Sequence, residues 1–168
     1  EGQDIANFSQ SIAAGHAAGL ISDNVVEFVN ENKRKLNNAI KEERNDLFEY
    51  NGTKTIYDRY LLKHPTSRKV METPQFFLMR VACGLSNDVT EAIEFYNLLS
   101  SLEYMTSTPT LFNSGTRHSQ MSSCYLLDSP EDNLQDIYKR YSDVALLSKW
   151  AGGIGLSASR IRSSGSLI

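Results

Sequence analysis

The hydrophobic periodicity of this chain changes once, near Ser107, and that change restricts the folds open to it. Upstream, apolar residues recur at helical spacing. Downstream, β-compatible runs at 121–127 and 154–159 flank a helical stretch at about 132–149. Two strands separated by a helix cannot close as a hairpin, so the sequence predicts parallel pairing through a right-handed crossover. Ser129-Pro130-Glu131-Asp132 breaks the first run and caps the helix, with Asp132 as the N-cap. Leu134, Ile137, Tyr141, Ala145 and Leu146 form the helix's apolar face, and Gly152-Gly153 ends it.

The upstream part reads as helical throughout. Residues 3–18 are Ala-rich, with Ile5, Phe8 and Ile12 at helical spacing. Ser22-Asp23-Asn24 caps a helix carrying Val25, Val26, Phe28 and Val29, which continues through 30–44 with Leu36 and Ile40. Asn51-Gly52 predicts a turn, and Tyr57, Tyr60, Leu61 and Leu62 an apolar stretch before the loop at Pro65. Thr73 is the N-cap and Pro74 the first residue of a helix holding Phe76, Phe77, Met79, Arg80, Val81 and Cys83, with Gly84 suited to its C-terminal end. Asn87-Asp88 caps the next, with Ala92, Ile93, Tyr96, Leu98 and Leu99. The fold class is α/β in the form of an α+β piece: a mostly helical part, then one strand–helix–strand unit.

At 168 residues the chain is long enough to bury a core, and 40% hydrophobic with 22% charged residues suits a soluble globular protein. A net charge of −3 gives no bulk attraction to nucleic acid or an anionic membrane, and no apolar run reaches the length of a membrane span. Two cysteines make no disulfide framework and suit a reducing cytoplasm. His16, His64 and His118 lack metal-ligand spacing, so no metal site is expected. The chain opens on Glu1 and stops just after a glycine turn, so a piece of a longer protein, or one half of a split one, is expected.

Several residues have chemical potential, each beside a plainer reading. Cys124 follows Ser122-Ser123 on the first strand; it reads as a small buried hydrophobe or as a thiol facing a cleft. Cys83, in a helical apolar run, reads as structural, and a Cys83–Cys124 pair has no support from spacing. Thr108-Pro109 and Ser122-Ser123 read as turn and cap residues, or as donors to a phosphate or ribose. Gly152-Gly153-Ile154-Gly155 matches neither the dinucleotide fingerprint nor the Walker pattern; it reads as a helix C-cap turn or as a close backbone approach to a ligand. Arg160 and Arg162 alternate on a strand end, one placed to pair with carboxylates and the other to meet a phosphate.

The blocks Thr106-Ser107-Thr108-Pro109-Thr110-Leu111-Phe112-Asn113-Ser114-Gly115, Gln120-Met121-Ser122-Ser123-Cys124 and Ala151-Gly152-Gly153-Ile154-Gly155, with Ser159-Arg160-Ile161-Arg162, closely resemble the large (α) subunit of class I ribonucleotide reductase. Asn51-Gly52-Thr53-Lys54-Thr55, Tyr60-Leu61-Leu62, Pro74-Gln75 and Met79-Arg80-Val81-Ala82 extend the resemblance over about 33–168. It implies a helical leader at 1–45, the family's N-terminal helical domain at 46–119, and at 120–168 the start of its ten-stranded α/β barrel.

The activity implied is reduction of ribonucleoside diphosphates to deoxyribonucleotides by thiol and radical chemistry. Cys124 aligns with a redox-active thiol. Thr108, Ser123, Gly152 and Gly153 align with positions that hold the substrate's phosphate and ribose. Asp132, Asn133, Leu134, Arg162 and Ile168 align with an allosteric site for deoxynucleoside triphosphate or ATP effectors; serine is more usual at Asn133. The resemblance implies no cofactor bound directly here, a radical supplied by a metal-containing β (small) subunit, an α homodimer packed through the helix at 132–149, and thioredoxin or glutaredoxin as reductant. The radical-bearing cysteine and the second redox cysteine belong to the remaining C-terminal part of the α subunit, so this stretch alone is not expected to turn over. Neither nucleic acid nor membrane is an expected partner. A class II, adenosylcobalamin-dependent reductase and a non-catalytic nucleotide-binding regulatory module are the competing readings. Phe112-Asn113 and the glycine block at 151–155 favour class I. Deoxynucleotide binding without any complementable activity would mark the module.

Overall fold

Thr73-Pro74 starts the helix that organises the first part of the molecule. In a computed structural model, which describes residues 5–150 and 152–167, the Thr73 hydroxyl accepts from the Phe76 amide at 3.3 Å and α5 runs over Pro74–Leu85. The chain falls into two units, Glu1–Ser119 and Gln120–Ile168.

In the first unit every residue of α5 from Gln75 to Cys83 is buried. A helix apolar on all sides needs neighbours on all sides. They are α1 (Phe8–Ala17), α2 (Asp23–Glu31), α6 (Val89–Ser100) and α7 (Thr108–Asn113), with α3 (Lys33–Ala39) packed on α1 and α6. Phe8, Ile12, Val29, Leu36, Phe77, Leu78, Met79, Tyr96 and Leu99 fill the space between them. Ser22 and Asp88 are N-caps as expected, accepting from Val25 and Glu91 amides.

Arg80 is fully buried in this core. Its Nε and Nη2 donate to the two carboxylate oxygens of Glu72 at 3.0 and 2.9 Å, and its Nη1 donates to the Ser114 carbonyl at 2.7 Å. Glu72 also accepts the Leu62 amide at 2.9 Å. One ion pair therefore ties both ends of the connection before α5 and the loop after α7 to the helix.

Two expectations for this unit change. The predicted helix through 30–44 is interrupted at Asn32, whose side-chain amide donates to the Phe28 carbonyl at 2.9 Å and competes with the backbone for it; a 3₁₀ turn follows at Glu42–Leu47. Asn51-Gly52 lies within α4 (Tyr50–Thr55), not in a turn, because that dipeptide signals a hairpin only between strands and none flank it. Gly84 lies in the last turn of α5, at its C-terminal end as expected, and a Cβ there would fall 2.3 Å from the Gly115 amide nitrogen, so glycine permits a close approach of two backbones.

In the second unit β1 (Cys124–Leu127) pairs in parallel with β2 (Gly153–Leu156), with α8 (Leu134–Lys149) between them in sequence. The strand–helix–strand reading holds, but both strands are shorter than the runs at 121–127 and 154–159. Before β1 the Ser122 amide is satisfied by the Gln120 side chain, and after β2 the Ser159 amide turns back to the Ser157 hydroxyl at 3.4 Å. Side-chain partners replace ladder partners at both ends. None of the residues of α8 is buried: Leu134, Tyr141 and Leu146 are exposed and Ile137 is half-buried. Among the described residues no helix is long and apolar enough to cross a membrane.

Arg80→Ala would leave the Glu72 carboxylate buried without its cation. The expected loss is about 3–5 kcal/mol of stability, and Arg80→Met with Glu72→Leu should recover much of it, as read by urea denaturation of each variant.

Candidate functional site

Cys124 opens β1 and is exposed, with Gly153 as its register partner on β2. An added Cβ at Gly153 would lie 3.3 Å from the Cys124 Sγ, and one at Gly152 would lie 2.7 Å from the Tyr125 ring. Neither glycine has a positive φ, whereas Gly19, Gly115 and Gly165 do. Glycine at 152 and 153 therefore serves to leave room beside the thiol and the ring, not to make a left-handed cap. The N-cap and C-cap of α8 are Asn133 and Trp150.

This arrangement corrects the expectation that both backbone amides are open to a phosphate. The Gly153 amide donates to the Ser123 carbonyl at 2.7 Å, and the Gly152 amide to the Leu147 carbonyl at 3.4 Å. Gly153 leaves the side of Sγ uncrowded, and Gly152 lets the Tyr125 ring pack closely on the backbone. Ser123 is exposed immediately before the cysteine. Thr108 belongs to the helical unit, where it begins α7, and its Oγ1 lies 3.2 Å from the Tyr60 hydroxyl.

A second group of residues meets at the far ends of the strands. Beyond Leu156 the period-2 alternation has ended, so Arg160 and Arg162 do not point to opposite faces of a strand. Both fold back onto the loop after β1. Arg160 donates its amide to the Ser129 hydroxyl at 3.0 Å, Nη1 to the Ser129 carbonyl at 2.9 Å and Nη2 to Asp128 at 2.8 Å. The Ser129 amide and then the Arg160 guanidinium hold the Asp128 carboxyl below its ordinary value. Arg162 gives Nε to the Asp132 carboxylate, Nη2 to the Asp132 carbonyl at 2.8 Å and Nη1 to the Leu167 carbonyl. Both arginines thus pair with carboxylates.

Asp132 is consequently not the N-cap of α8. Asn133 takes that place, its Oδ1 accepting from the Asp136 amide at 3.0 Å, while Asp132 is engaged by Arg162. Asp132, Asn133, Leu134 and Arg162 line one cleft of about 260 Å³, closed by Ile137, Ile161 and the turn at Gly165. Its lining combines a charged pair and serines with aliphatic side chains. Such a cleft suits a ligand with a polar group attached to a flat apolar part. Ile168 lies outside the described residues. The contacts of Ser129 with Arg160 were not foreseen; the only local trace was a serine placed just after the strand. Among the described residues no group of three or more His, Cys, Asp or Glu side chains is placed to share a metal ion.

Family comparison agrees with both units. Residues 46–119 match the ribonucleotide reductase all-alpha domain, and residues 122–168 match the ribonucleotide reductase barrel domain. The chain belongs to the ribonucleotide reductase family. It is 46% identical over 167 residues to a ribonucleoside-diphosphate reductase large subunit of Monkeypox virus, covering 99% of this chain and 21% of the relative. It is 47% identical over 156 residues to the large subunit of Caenorhabditis elegans, covering 92% of this chain and 19% of the relative. Against subunit alpha of Chlamydia trachomatis serovar D it is 53% identical over 137 residues, 79% of this chain and 13% of the relative. The chain thus spans about a fifth or less of the length of these relatives.

The two thiols of this ribonucleotide reductase chain differ sharply. Both are free, but Cys83 is 4% exposed in α5 and burial pushes its thiol up to about 12. At pH 8 iodoacetamide should label Cys124 in the native protein and Cys83 only after denaturation, as read by peptide mass mapping. Linkage gives a matching pH effect. An unfolded thiol ionises from about 9 and the buried one does not until about 12, so stability should fall as pH rises through that interval.

Proposed function

We propose that this chain forms part of the α subunit of a class I ribonucleoside-diphosphate reductase, contributing one redox thiol, part of the substrate contacts and part of an effector site. The observation that carries this reading is Cys124, exposed at the start of the first strand of the barrel-domain match, opposite a glycine that leaves its sulfur accessible. The names of the relatives, diphosphate reductases described by large and alpha subunits, favour this over an adenosylcobalamin-dependent enzyme or a regulatory module.

In the proposed reaction Cys124 and a second thiol, from the remaining C-terminal part of the α subunit, together give up two electrons and two protons. They become a disulfide, and the ribose hydroxyl leaves as water. A metal-containing β subunit supplies the radical that starts the reaction. Thioredoxin or glutaredoxin restores the dithiol, which suits the cytoplasm. Thr108 and Ser123 give hydroxyls to the phosphate and ribose of the diphosphate, Gly153 gives space beside Sγ, and Gly152 lets the backbone come close to the substrate. In the complete protein Cys124→Ser should abolish multiple turnover with dithiol reductants and leave effector binding intact. Unchanged steady-state turnover would sink the role. Gly153→Val, which fills the space beside the sulfur, should weaken substrate binding.

The cleft at Asp132, Asn133, Leu134 and Arg162, with Ile168, is the proposed deoxynucleoside triphosphate site, which ATP would share. Arg162 offers charge-assisted bonds to phosphate in exchange for its present partners, and Asp132 accepts from a ribose hydroxyl. The uncovered apolar side of α8 is the proposed contact of an α homodimer. Because the cleft includes the start of α8, effector binding and dimerisation should strengthen each other. Sedimentation velocity of the complete protein should show an effector-dependent dimer, and Arg162→Ala should weaken both effects. A dimer equilibrium indifferent to effector would refute the linkage.

A further inference from the structure

Tyr60 ends a π-helical turn over Ile56–Tyr60. Such wide turns are rare and recur at functional sites, where they redirect a side chain. Here the redirected side chain reaches α7 at two points. The Tyr60 ring stacks on Phe112, with centroids 4.7 Å apart and planes 15° from parallel, and is supported by Phe77 of α5 at 6.1 Å. The Tyr60 hydroxyl lies 3.2 Å from the Thr108 Oγ1. Thr108 and Phe112 are one helical turn apart, so the phenol lies along a single face of α7, with its ring on one residue and its hydroxyl on the other. The neighbouring hydroxyls of Ser107 and Thr110 face each other at 3.5 Å, so neither competes for the Tyr60 hydroxyl, which meets Thr108.

We infer that Tyr60 is a positioning residue for the substrate's phosphate, holding the Thr108 hydroxyl in the orientation that donates to it. This rests on the proposed role of Thr108 as a phosphate contact and deepens it. The direction of the bond follows from proton count. A threonine hydroxyl has one hydrogen and two lone pairs, and an ionised phosphate oxygen only accepts. Thr108 must therefore give its hydrogen to the phosphate, and the bond between the two hydroxyls must be donated by Tyr60. A helical threonine otherwise divides between two rotamers. A donor fixed by a stacked ring selects one of them before substrate arrives. The chain of hydroxyls also polarises Thr108 towards the anion.

The test is a double-mutant cycle in the complete reductase, with Tyr60→Phe and Thr108→Val. Tyr60→Phe keeps the ring and its stack on Phe112 and removes only the oxygen. It should raise KM for the ribonucleoside diphosphate about three- to tenfold, the effect of one hydrogen bond, with kcat and the thermal midpoint little changed. Thr108→Val should raise KM at least as much, and adding Tyr60→Phe to it should change nothing further. Thr108→Ser, which keeps a hydroxyl, should remain sensitive to Tyr60→Phe. If Thr108→Val raises KM and Tyr60→Phe does not, the inference is overturned while the role of Thr108 stands. If Thr108→Val leaves KM unchanged, both fall. Equal effects of Tyr60→Phe with and without Thr108→Val, or a lowered thermal midpoint in Tyr60→Phe, would make Tyr60 a packing residue only and overturn the inference.

Discussion

A guanidinium removed from water is tolerable only when its donors are matched, and the helical unit is arranged around one such match. Arg80 directs three nitrogens at two acceptor groups, the Glu72 carboxylate and the Ser114 carbonyl, and stands 5.4 Å from the centre of the Phe77 ring. The free energy gained over an apolar replacement is small, because desolvating both ions offsets most of their attraction. What the pair supplies is placement. Leu62 and Glu72 come from the two ends of the connection before α5 and Ser114 from the loop after α7, and all are tied to one point on α5. The Ser114 hydroxyl adds a bond to the Val81 carbonyl at 2.7 Å. The contact of Gly84 with Gly115 brings the same loop against the helix backbone. Since α7 ends at Asn113, directly before that loop, the placement of Thr108 follows from the ion pair.

The second unit depends on a different constraint, the shortness of its strand pair. Four residues pair on each side, so the starts and ends of the strands are about 10 Å apart at the usual rise per residue. Cys124 and Gly153 occupy the starts. The loops that carry Asp128 to Asp132 and Arg160 to Arg162 leave from the ends. The thiol and the cleft are therefore separate places joined by the same two strands, and α8 starts beside the cleft. The two proposed roles, electron delivery at the thiol and nucleotide binding at the cleft, would occupy opposite ends of one parallel strand pair.

Helix α8 shows how a helix can form without being buried. Asn133 caps it, Asp136 lies in its first turn and Lys149 in its last, which suits the helix dipole at both ends. None of its residues is buried within its own unit, and Leu134, Tyr141 and Leu146 stay exposed. Local sequence is sufficient for the helix; what lies against its apolar side is a matter of other surfaces.

How much the sequence determined follows from how far each rule reaches along the chain. The caps at Ser22, Thr73 and Asp88 were legible because each acts within three residues. The parallel pairing was legible because a helix between two strands excludes a hairpin. The family was legible in ordered blocks of residues, and both family matches agree with it. Tertiary structure decided the rest. Asp132 and Asn133 are adjacent and equally suited to cap α8; an arginine thirty positions away takes the first and leaves the cap to the second. Gly84 read as a helix end, which it is, but the need for glycine there, with Gly115 packed against it, is decided by tertiary structure. The glycines at 152 and 153 looked like a cap or a cradle, and their neighbours across the strand pair, Cys124 and Tyr125, show them to be space. Tyr60 read only as part of an apolar stretch, and its hydroxyl meets Thr108, forty-eight positions away. In each case the local pattern allowed two states of similar energy, and a side chain distant in sequence supplied the contact that chose between them.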